Sequence, residues 1–339
     1  MKIFKSTLLL ALVAALVLGL CACGTTNSTP NGGNATTNDN YPEKDIRVIV
    51  AFAPGGQTDL ISRKLAEIIQ SQNLLDVSIV TVNMPGGNTA DAAEALCESD
   101  ADGYTYYMHH TAMITNNVMG TLDIAYTDMK LCGGIVDQGF GIVARSDDDR
   151  FSTGEKLVEY IRNHPGELSV AFPGYASAGH FALLSFLKAN DLLGSVVEVP
   201  YAGGSEAISA HLAGETDLRV TNMGDSARYV ASGDLKYLCM ISQEKNADYP
   251  EVQTLADLGS SDSGFMLHTA IFAPKETPDA VTEKFMQAIF AACETDEFKD
   301  FLNSNGLVLA KRTASEISVV FDNDYQNISN MSKFLSEAG

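Results

Sequence analysis

Basic residues are scarce in this chain. It has 22 lysines and arginines against 43 aspartates and glutamates, which gives a formal net charge of −21 at pH 7. Nucleic acids and anionic lipid surfaces are bound through basic patches, so the composition argues against both as partners. The composition does not exclude a small anionic ligand. Salt screens the electric field of the net charge beyond about 8 Å, so the groups near a binding site determine whether it accepts an anion.

Cysteines are also few, and no two of them form a CxxC pair of the kind that binds zinc or carries redox chemistry. The last four of the 6 are Cys97, Cys132, Cys239 and Cys293. A chain of this length does not need a disulfide framework, so we expect four largely buried thiols. The adjacent His109 and His110 do not indicate a metal site, because neighbours on a strand point to opposite faces. We expect no metal and no cofactor.

The long apolar stretch near the start, Leu8 to Leu20, is shorter than the roughly 20 residues needed to span a bilayer. It follows Lys2 and Lys5, a pattern typical of a signal peptide. Ala22 directly precedes Cys23 and Leu20 lies three residues before it, which is the arrangement of a lipoprotein signal. We therefore expect a signal peptide over 1–22 and a lipid on Cys23. The alternative is an ordinary signal cleaved after Ala22.

Residues 25–40 are small and polar, with no large apolar side chain. Such a segment buries too little surface to offset its ordering entropy, so 23–40 is predicted to be a lipidated cysteine followed by a flexible linker. Removal of 1–22 takes away two lysines and moves the net charge from −21 to −23. The expected location is the extracytoplasmic face of a membrane, with a folded body that starts near Tyr41.

Strand-like and helix-like segments alternate along this body, which predicts an α/β fold with largely parallel sheets. Three turns that lead from a strand into a helix are rich in glycine and small residues: Phe52–Asp59, Pro173–Gly179 and Pro200–Ser205. Such turns present unpaired backbone N–H groups and the positive end of a helix dipole. Ser177 has the position of a helix cap. Together the turns predict a site that receives an anion.

Several motifs occur in an order that resembles one known family, the Bug-type solute-binding proteins, which are the extracytoplasmic receptors of tripartite tricarboxylate transporters. The resemblance begins at YPEKDIRVIV and continues through AFAPGGQTDLISRKLAE. It covers nearly all of 41–339, and the further matching segments are 83–88, 102–105, 164–168, 199–217, 249–255 and 272–278.

The resemblance implies a two-lobed clamp of the type II periplasmic-binding-protein kind with a central cleft. Lobe 1 would comprise 41–138 and 267–339, and lobe 2 would comprise 139–266. It implies a monomeric, non-enzymatic receptor that passes a di- or tricarboxylate, an amino acid or an aromatic acid to large and small permease subunits in the membrane. The alternatives are a sensory receptor without its own permease and a serine-type hydrolase. The hydrolase is disfavoured because Tyr175 replaces the first glycine of G-x-S-x-G.

The residues that the resemblance and the turns assign to ligand binding surround the predicted cleft. They are Phe52, Ala53, Gly55, Gly56, Gln57, Thr58, Asp59, Thr111, Tyr175, Ala176, Ser177, Tyr201, Asn222 and Asp225.

Two departures from the family pattern affect the choice of ligand. The chain has no tryptophan, and His268–Ile271 stands where members commonly carry one. Arg219 interrupts a strand that is usually apolar there. It either pairs with a second ligand carboxylate or pairs with a surface acid at a sheet edge, whereas Asp225 would favour a ligand with an amino group. The sequence leaves these readings open.

Overall fold

The computed structural model describes residues 40–337, with side chains as far as Leu335. The predicted signal peptide, the predicted lipid site at Cys23 and nearly all of the predicted linker lie outside this range. The described residues alternate between strands and helices, as the sequence predicts. The strands are β1 (Ile46–Val50), β2 (Ile79–Asn83), β3 (Thr105–His109), β4 (Lys130–Arg145), β5 (Ser169–Pro173), β6 (Val197–Tyr201), β7 (Leu218–Asn222), β8 (Leu235–Met240), β9 (Gln253–Thr254), β10 (Met266–Ala273) and β11 (Val308–Thr313).

The α-helices lie between these strands and after the last of them. They are α1 (Gln57–Ser71), α2 (Ala90–Cys97), α3 (Ala112–Val118), α4 (Gly154–Asn163), α5 (Ala178–Ala189), α6 (Gly204–Leu212), α7 (Met223–Ala231), α8 (Asp279–Cys293), α9 (Asp296–Ser304) and α10 (Ala314–Glu337). Across residues 40–337, no helix has both the length and the apolar character that crossing a membrane would require.

The long strand β4 joins two sets of strands. Its first part, 130–139, pairs antiparallel with β10 and β11, and β10 continues to β3, β1 and β2. Its second part, 140–145, pairs antiparallel with β7 and β8, and β7 continues to β5 and β6. We call the first set lobe 1 and the second lobe 2. The change of partners falls between Gly139 and Phe140. The exact lobe boundaries at 138 and 267 stay a prediction.

Each lobe has parallel strands whose carboxyl ends lie at one edge. In lobe 1, β1 pairs parallel with both β2 and β3. In lobe 2, β5 pairs parallel with both β6 and β7. The last residue of β7, Asn222, lies beside Phe140, and the last residue of β3 lies opposite Ala270, which itself faces Gly134. Both sets of carboxyl ends therefore approach the middle of β4.

The helices bury one face against the sheets, as their apolar spacing predicts. In α1 the buried apolar residues are Ile61, Leu65, Ile68 and Ile69, and they share a core with the alternate residues of β1. Gly133 of β4 lets α8 and β11 come close, because an added Cβ would lie 2.7 Å from the Met286 methyl and 3.0 Å from the Arg312 carbonyl oxygen.

The cysteines correct one expectation. All four described cysteines are free thiols, but Cys97 is exposed while the other three are buried. The reason is its position at the end of α2, a helix that buries Ala92, Ala93 and Leu96 and leaves its last residue facing solvent. Burial raises the pKa of the Cys132 thiol to about 12, so that thiol stays protonated.

Candidate functional site

The turn after β1 is held by a carboxylate from within the protein. Gly55 has a φ of +82°, and its amide donates to Asp59 Oδ2 at 2.8 Å. The Gly56 amide donates to the Ala53 carbonyl at 3.1 Å. The Gly55 and Gly56 amides, which the sequence predicts to face a ligand, therefore already donate hydrogen bonds within the protein. The amides that remain are those of Gln57 and Thr58, the first of α1, which have no acceptor within the helix.

Both oxygens of Asp59 already accept hydrogen bonds from within the protein. Asp59 is 1% exposed, and its Oδ1 accepts from Asn83 Nδ2 at 2.8 Å and from Arg63 Nε at 2.9 Å. Burial acts to raise the pKa of this carboxyl, but the hydrogen bonds from Arg63, Gly55 and Asn83 outweigh it and lower the pKa below its ordinary value. The structure thus places Asp59 under the turn as its anchor, and its assignment as a ligand contact stays a prediction.

Gln57 connects three parts of the chain. Its Nε2 donates to the Asn305 carbonyl at 3.2 Å, and its Oε1 accepts from Gln138 on β4. Gly224, near the start of α7, lies so close that an added Cβ would be 3.0 Å from Gln57 Nε2 and 2.7 Å from the Asn305 oxygen. The first turn of α1 in lobe 1 therefore faces the first turn of α7 in lobe 2.

Phe52 and two histidines form an aromatic group beneath the first turn. The Phe52 ring stacks on His110 with ring centroids 5.0 Å apart and lies 5.1 Å from His109. Burial lowers the pKa of His109 to about 4, so this ring is neutral at physiological pH. These histidines pack against the turn as apolar support.

The turn after β5 is closed by similar internal bonds. The Gly174 amide donates to the Tyr201 carbonyl at 2.7 Å, and the Ala176 amide donates to His180 Nδ1 at 3.0 Å. Ser177 caps α5 by accepting from the His180 amide at 3.3 Å, which confirms its predicted role as a cap. Among the described residues, no hydrogen bond joins this turn to Phe52–Asp59.

The two tyrosines of lobe 2 that were predicted to bind ligand, Tyr175 and Tyr201, differ in where their side chains point. The Tyr175 side chain is 56% exposed at the mouth of its turn, 4.6 Å from the His180 ring. The Tyr201 hydroxyl lies 3.5 Å from Glu215, a residue beyond the C-terminal end of α6. The Tyr201 side chain therefore points away from the carboxyl end of β6. The Tyr201 carbonyl, rather than its ring, supports the neighbouring turn.

A serine hydrolase arrangement does not form around Ser177. Its hydroxyl donates to the Pro173 carbonyl, while His180 Nδ1 accepts from the Ala176 amide and His180 Nε2 lies 2.8 Å from Glu198. Neither ring nitrogen of His180 therefore bonds to Ser177, and a general base for this hydroxyl is missing from the described contacts.

Asn222 and Asp225 cap α7 together. Asn222 Oδ1 accepts from the Asp225 amide at 2.9 Å, and its Nδ2 donates to Asp225 Oδ2 at 2.8 Å. The same Asp225 oxygen lies 3.9 Å from Nη2 of Arg219, so the two residues that suggested different ligands are neighbours. The Asp225 side chain remains half exposed.

Thr111 belongs to a buried charge network that the sequence did not reveal. Its hydroxyl donates to Asp324 at 3.1 Å and accepts from the His268 amide at 2.9 Å. His268 Nδ1 lies 2.7 Å from Asp137, and Arg312 donates to both oxygens of Asp137 at 2.7 Å each. The network ties β4, β10, β11 and α10 together beside the crossing between the lobes. The residues of the network are far apart in the sequence, and no local pattern predicts that they meet.

The members of this network titrate differently. Burial opposes charge on His268, but its hydrogen bond to Asp137 outweighs burial and raises its pKa. The pKa of Asp137 is lowered, because His268 and Arg312 overcome the effect of burial. For Asp324, burial prevails over the attraction of His268 and raises the pKa to about 6.

Replacement of Asp324 by asparagine should therefore stabilise the protein above pH 6. The folded state binds this proton more tightly than the unfolded chain, so the carboxyl costs stability as the pH rises from about 4 to about 6. Asp324→Asn should raise the free energy of unfolding by about 1–3 kcal/mol at pH 7 and change it little at pH 4. Urea unfolding at both pH values measures this. Asp300→Asn, on the exposed face of α9, is the control, and an equal effect of Asp324→Asn at both pH values would refute the assignment.

Comparison with known proteins supplies the family. The family model described as the tripartite tricarboxylate transporter family receptor, TctC, matches residues 49–331. The chain belongs to this family. It is 28% identical over 271 residues to a UPF0065 protein of Bordetella pertussis, covering 79% of this chain and 82% of that protein. Membership makes it a solute-binding receptor of the extracytoplasmic compartment.

Solved structures of similar proteins show the same two-lobed α/β fold. A TctC solute-binding protein from Polaromonas superposes with a TM-score of 0.76 at 21% identity, covering 86% of this chain and 99% of that one. R. palustris Rpa4515, solved with adipate, superposes with a TM-score of 0.70 at 18% identity, covering 87% and 98%. The expected fold class, a type II-like clamp, is confirmed.

Proposed function

We propose that this TctC receptor captures a small carboxylate between its lobes and delivers it to the membrane subunits of a tripartite transporter. The observation that carries the proposal is the meeting of two helix N-termini at Gln57 and Gly224. Free amides and helix dipoles at such termini attract carboxylates. The adipate found in a structural neighbour supports the same class of ligand.

The proposed contacts divide between backbone and side chains. The amides of Gln57 and Thr58 receive one carboxylate, with Phe52, Ala53, Gly55 and Gly56 shaping the turn around it. In lobe 2, the turns at Tyr175–Ser177 and Asn222–Asp225 close on the ligand from the other side. Ordered water molecules bridge the protein and the carboxylate where direct contact is missing, at little cost in affinity. This role involves no chemical step.

Anchoring near the permease completes the proposal. A lipid on Cys23 and the polar spacer to residue 40 would hold the receptor on the outer face of the membrane, where the released acid enters the transporter directly. The spacer has the composition of a flexible chain, so the clamp could reach its partner while tethered.

Thermal unfolding against a panel of acids tests the proposal. The panel is succinate, adipate, citrate, aspartate and benzoate, with glucose as a neutral control. An acid present at about 100 times its dissociation constant should add about 2.7 kcal/mol of apparent stability. At least one acid should shift the transition while glucose does not. A panel in which no acid shifts it would contradict the proposal.

A further inference from the structure

Arg219 is a buried arginine that the protein does not fully pair. It lies on β7, between β4 and β5, so it is in the interior of the sheet rather than at an edge. Its side chain is 1% exposed, and Nη2 donates to the Gly204 carbonyl at 3.2 Å. Within the described residues, Nε and Nη1 have no hydrogen-bond partner. The nearest acid, Asp225, is 3.9 Å away, beyond hydrogen-bond length.

The guanidinium nevertheless keeps its charge. Burial lowers the pKa of Arg219 to about 10, which is still well above neutral pH. A buried cation is costly unless an anion neutralises it and its N–H groups find acceptors. The Gly204 carbonyl accepts from only one of the N–H groups, and the Asp225 carboxylate is too far away to neutralise the charge fully. An anion bound next to the Arg219 guanidinium would therefore be stabilised.

A cavity of about 420 Å³ lies next to this guanidinium, separated from it by two of the lining residues, Gly204 and Asp225. Its lining residues are Gly204, Ser205, Ile208, Gly224, Asp225 and Arg228. Gly204 lies against the arginine, since a Cβ added there would be 3.7 Å from Arg219 Nη2, an ordinary contact distance. The cavity also receives the N-termini of two nine-residue helices, α6 and α7, and α6 has no side-chain cap on its first amides.

We propose that this cavity is a subsite for a second carboxylate of the bound solute, with Arg219 as its principal cation. The inference rests on the proposed function, because the first carboxylate is taken to bind at the start of α1. Gly224 connects the two positions, since it lines the cavity and also faces Gln57. A short dicarboxylate spans both, whereas a monocarboxylate leaves Arg219 unneutralised.

The charges around the cavity favour a carboxylate over an amino group. Arg228 and two helix N-termini line the cavity and are positive, Arg219 adds its charge from behind Gly204, and Asp225 alone is negative among the lining residues. Asp225 is partly satisfied by Asn222 Nδ2 at 2.8 Å. Its remaining effect is to repel an entering anion, so its neutralisation should strengthen the binding of a diacid.

Matched pairs of ligands test the subsite. Succinate and adipate are compared with their monoamides, which keep the size of the diacid and remove one charge, by titration calorimetry on the intact chain. Arg219→Met should weaken the diacids about 10- to 100-fold, because a charge-assisted hydrogen bond is lost, and should change the monoamides less than about threefold. Methionine fills the buried space without a charge, so the variant should fold.

Two further variants complete the test. Asp225→Asn should raise affinity for the diacids about two- to tenfold by removing the repulsive charge. Arg162→Met, an exposed arginine of the same lobe, changes the net charge equally and should leave both ligand classes unaffected. If wild type binds acids but Arg219→Met alters diacids and monoamides equally, or alters neither, the subsite is refuted. If no acid binds wild type, the proposed function itself fails.

Discussion

Gly224→Val should weaken acid binding about 100-fold while leaving the two lobes folded. Even the first carbon of a side chain here would lie 2.7 Å from the Asn305 carbonyl oxygen, a backbone atom that cannot turn aside. Overpacking of this kind costs about 1–3 kcal/mol, and the cost falls on the closed arrangement because the contact joins the lobes. A penalty of about 3 kcal/mol on the binding-competent state lowers apparent affinity about 100-fold.

Gly139→Ala is the matched control for this prediction. It adds a methyl group to the crossing strand β4, where the nearest atom to the new Cβ is the Met266 methyl at 3.9 Å. Affinity for the best acid of the panel should change less than about threefold, since an ordinary contact adds no strain. Gly224→Val with wild-type affinity would show that closure at Gln57 is not needed for binding.

Asp137→Ala should be strongly destabilising. The Asp137 carboxylate is 8% exposed and binds both Arg312 and His268, so its loss leaves the Arg312 guanidinium without its carboxylate and His268 without its hydrogen-bond partner beside β4. Removal of one partner from a buried ion pair costs about 3–5 kcal/mol. Urea unfolding at pH 7 measures the loss, and the additional change Arg312→Met should restore part of it by removing the guanidinium left without its carboxylate.

An exposed ion pair provides the comparison. Asp279 pairs with Lys130 at the protein surface, where the Asp279 side chain is 83% exposed. Solvent and salt screen such a pair, so Asp279→Ala should leave the free energy of unfolding essentially unchanged. Equal effects of the two alanine substitutions would contradict the view that the Asp137 network holds the crossing strands.

The local elements of the fold could be predicted from the sequence because they depend on local patterns. Apolar spacing predicts α1, and the small residues after β5 predict the cap at Ser177, since both signals act within a few residues. The family resemblance assigned Asp59 to the ligand. It could not foresee that the carboxylate turns back to the Gly55 amide, because that depends on the exact backbone of the turn.

Features that depend on strand order could not be predicted. The alternative that Arg219 lies at a sheet edge is wrong, because β7 lies between β4 and β5. Asp137 meets Arg312 across 175 residues of sequence, at a point where the pairing of β11 with β4 is irregular. A single residue of register decides which side chains meet there, and no local pattern encodes it.

The most direct measurement is a titration of ¹⁵N-labelled receptor with the acid that gives the largest thermal shift, observed through its backbone amides. In the proposed complex, a carboxylate binds where the N-termini of α1 and α7 meet. The amides of Gln57, Thr58 and Gly224 should therefore move most and saturate together with the thermal shift. Saturation that leaves these three amides unmoved, while amides elsewhere respond, would contradict the account.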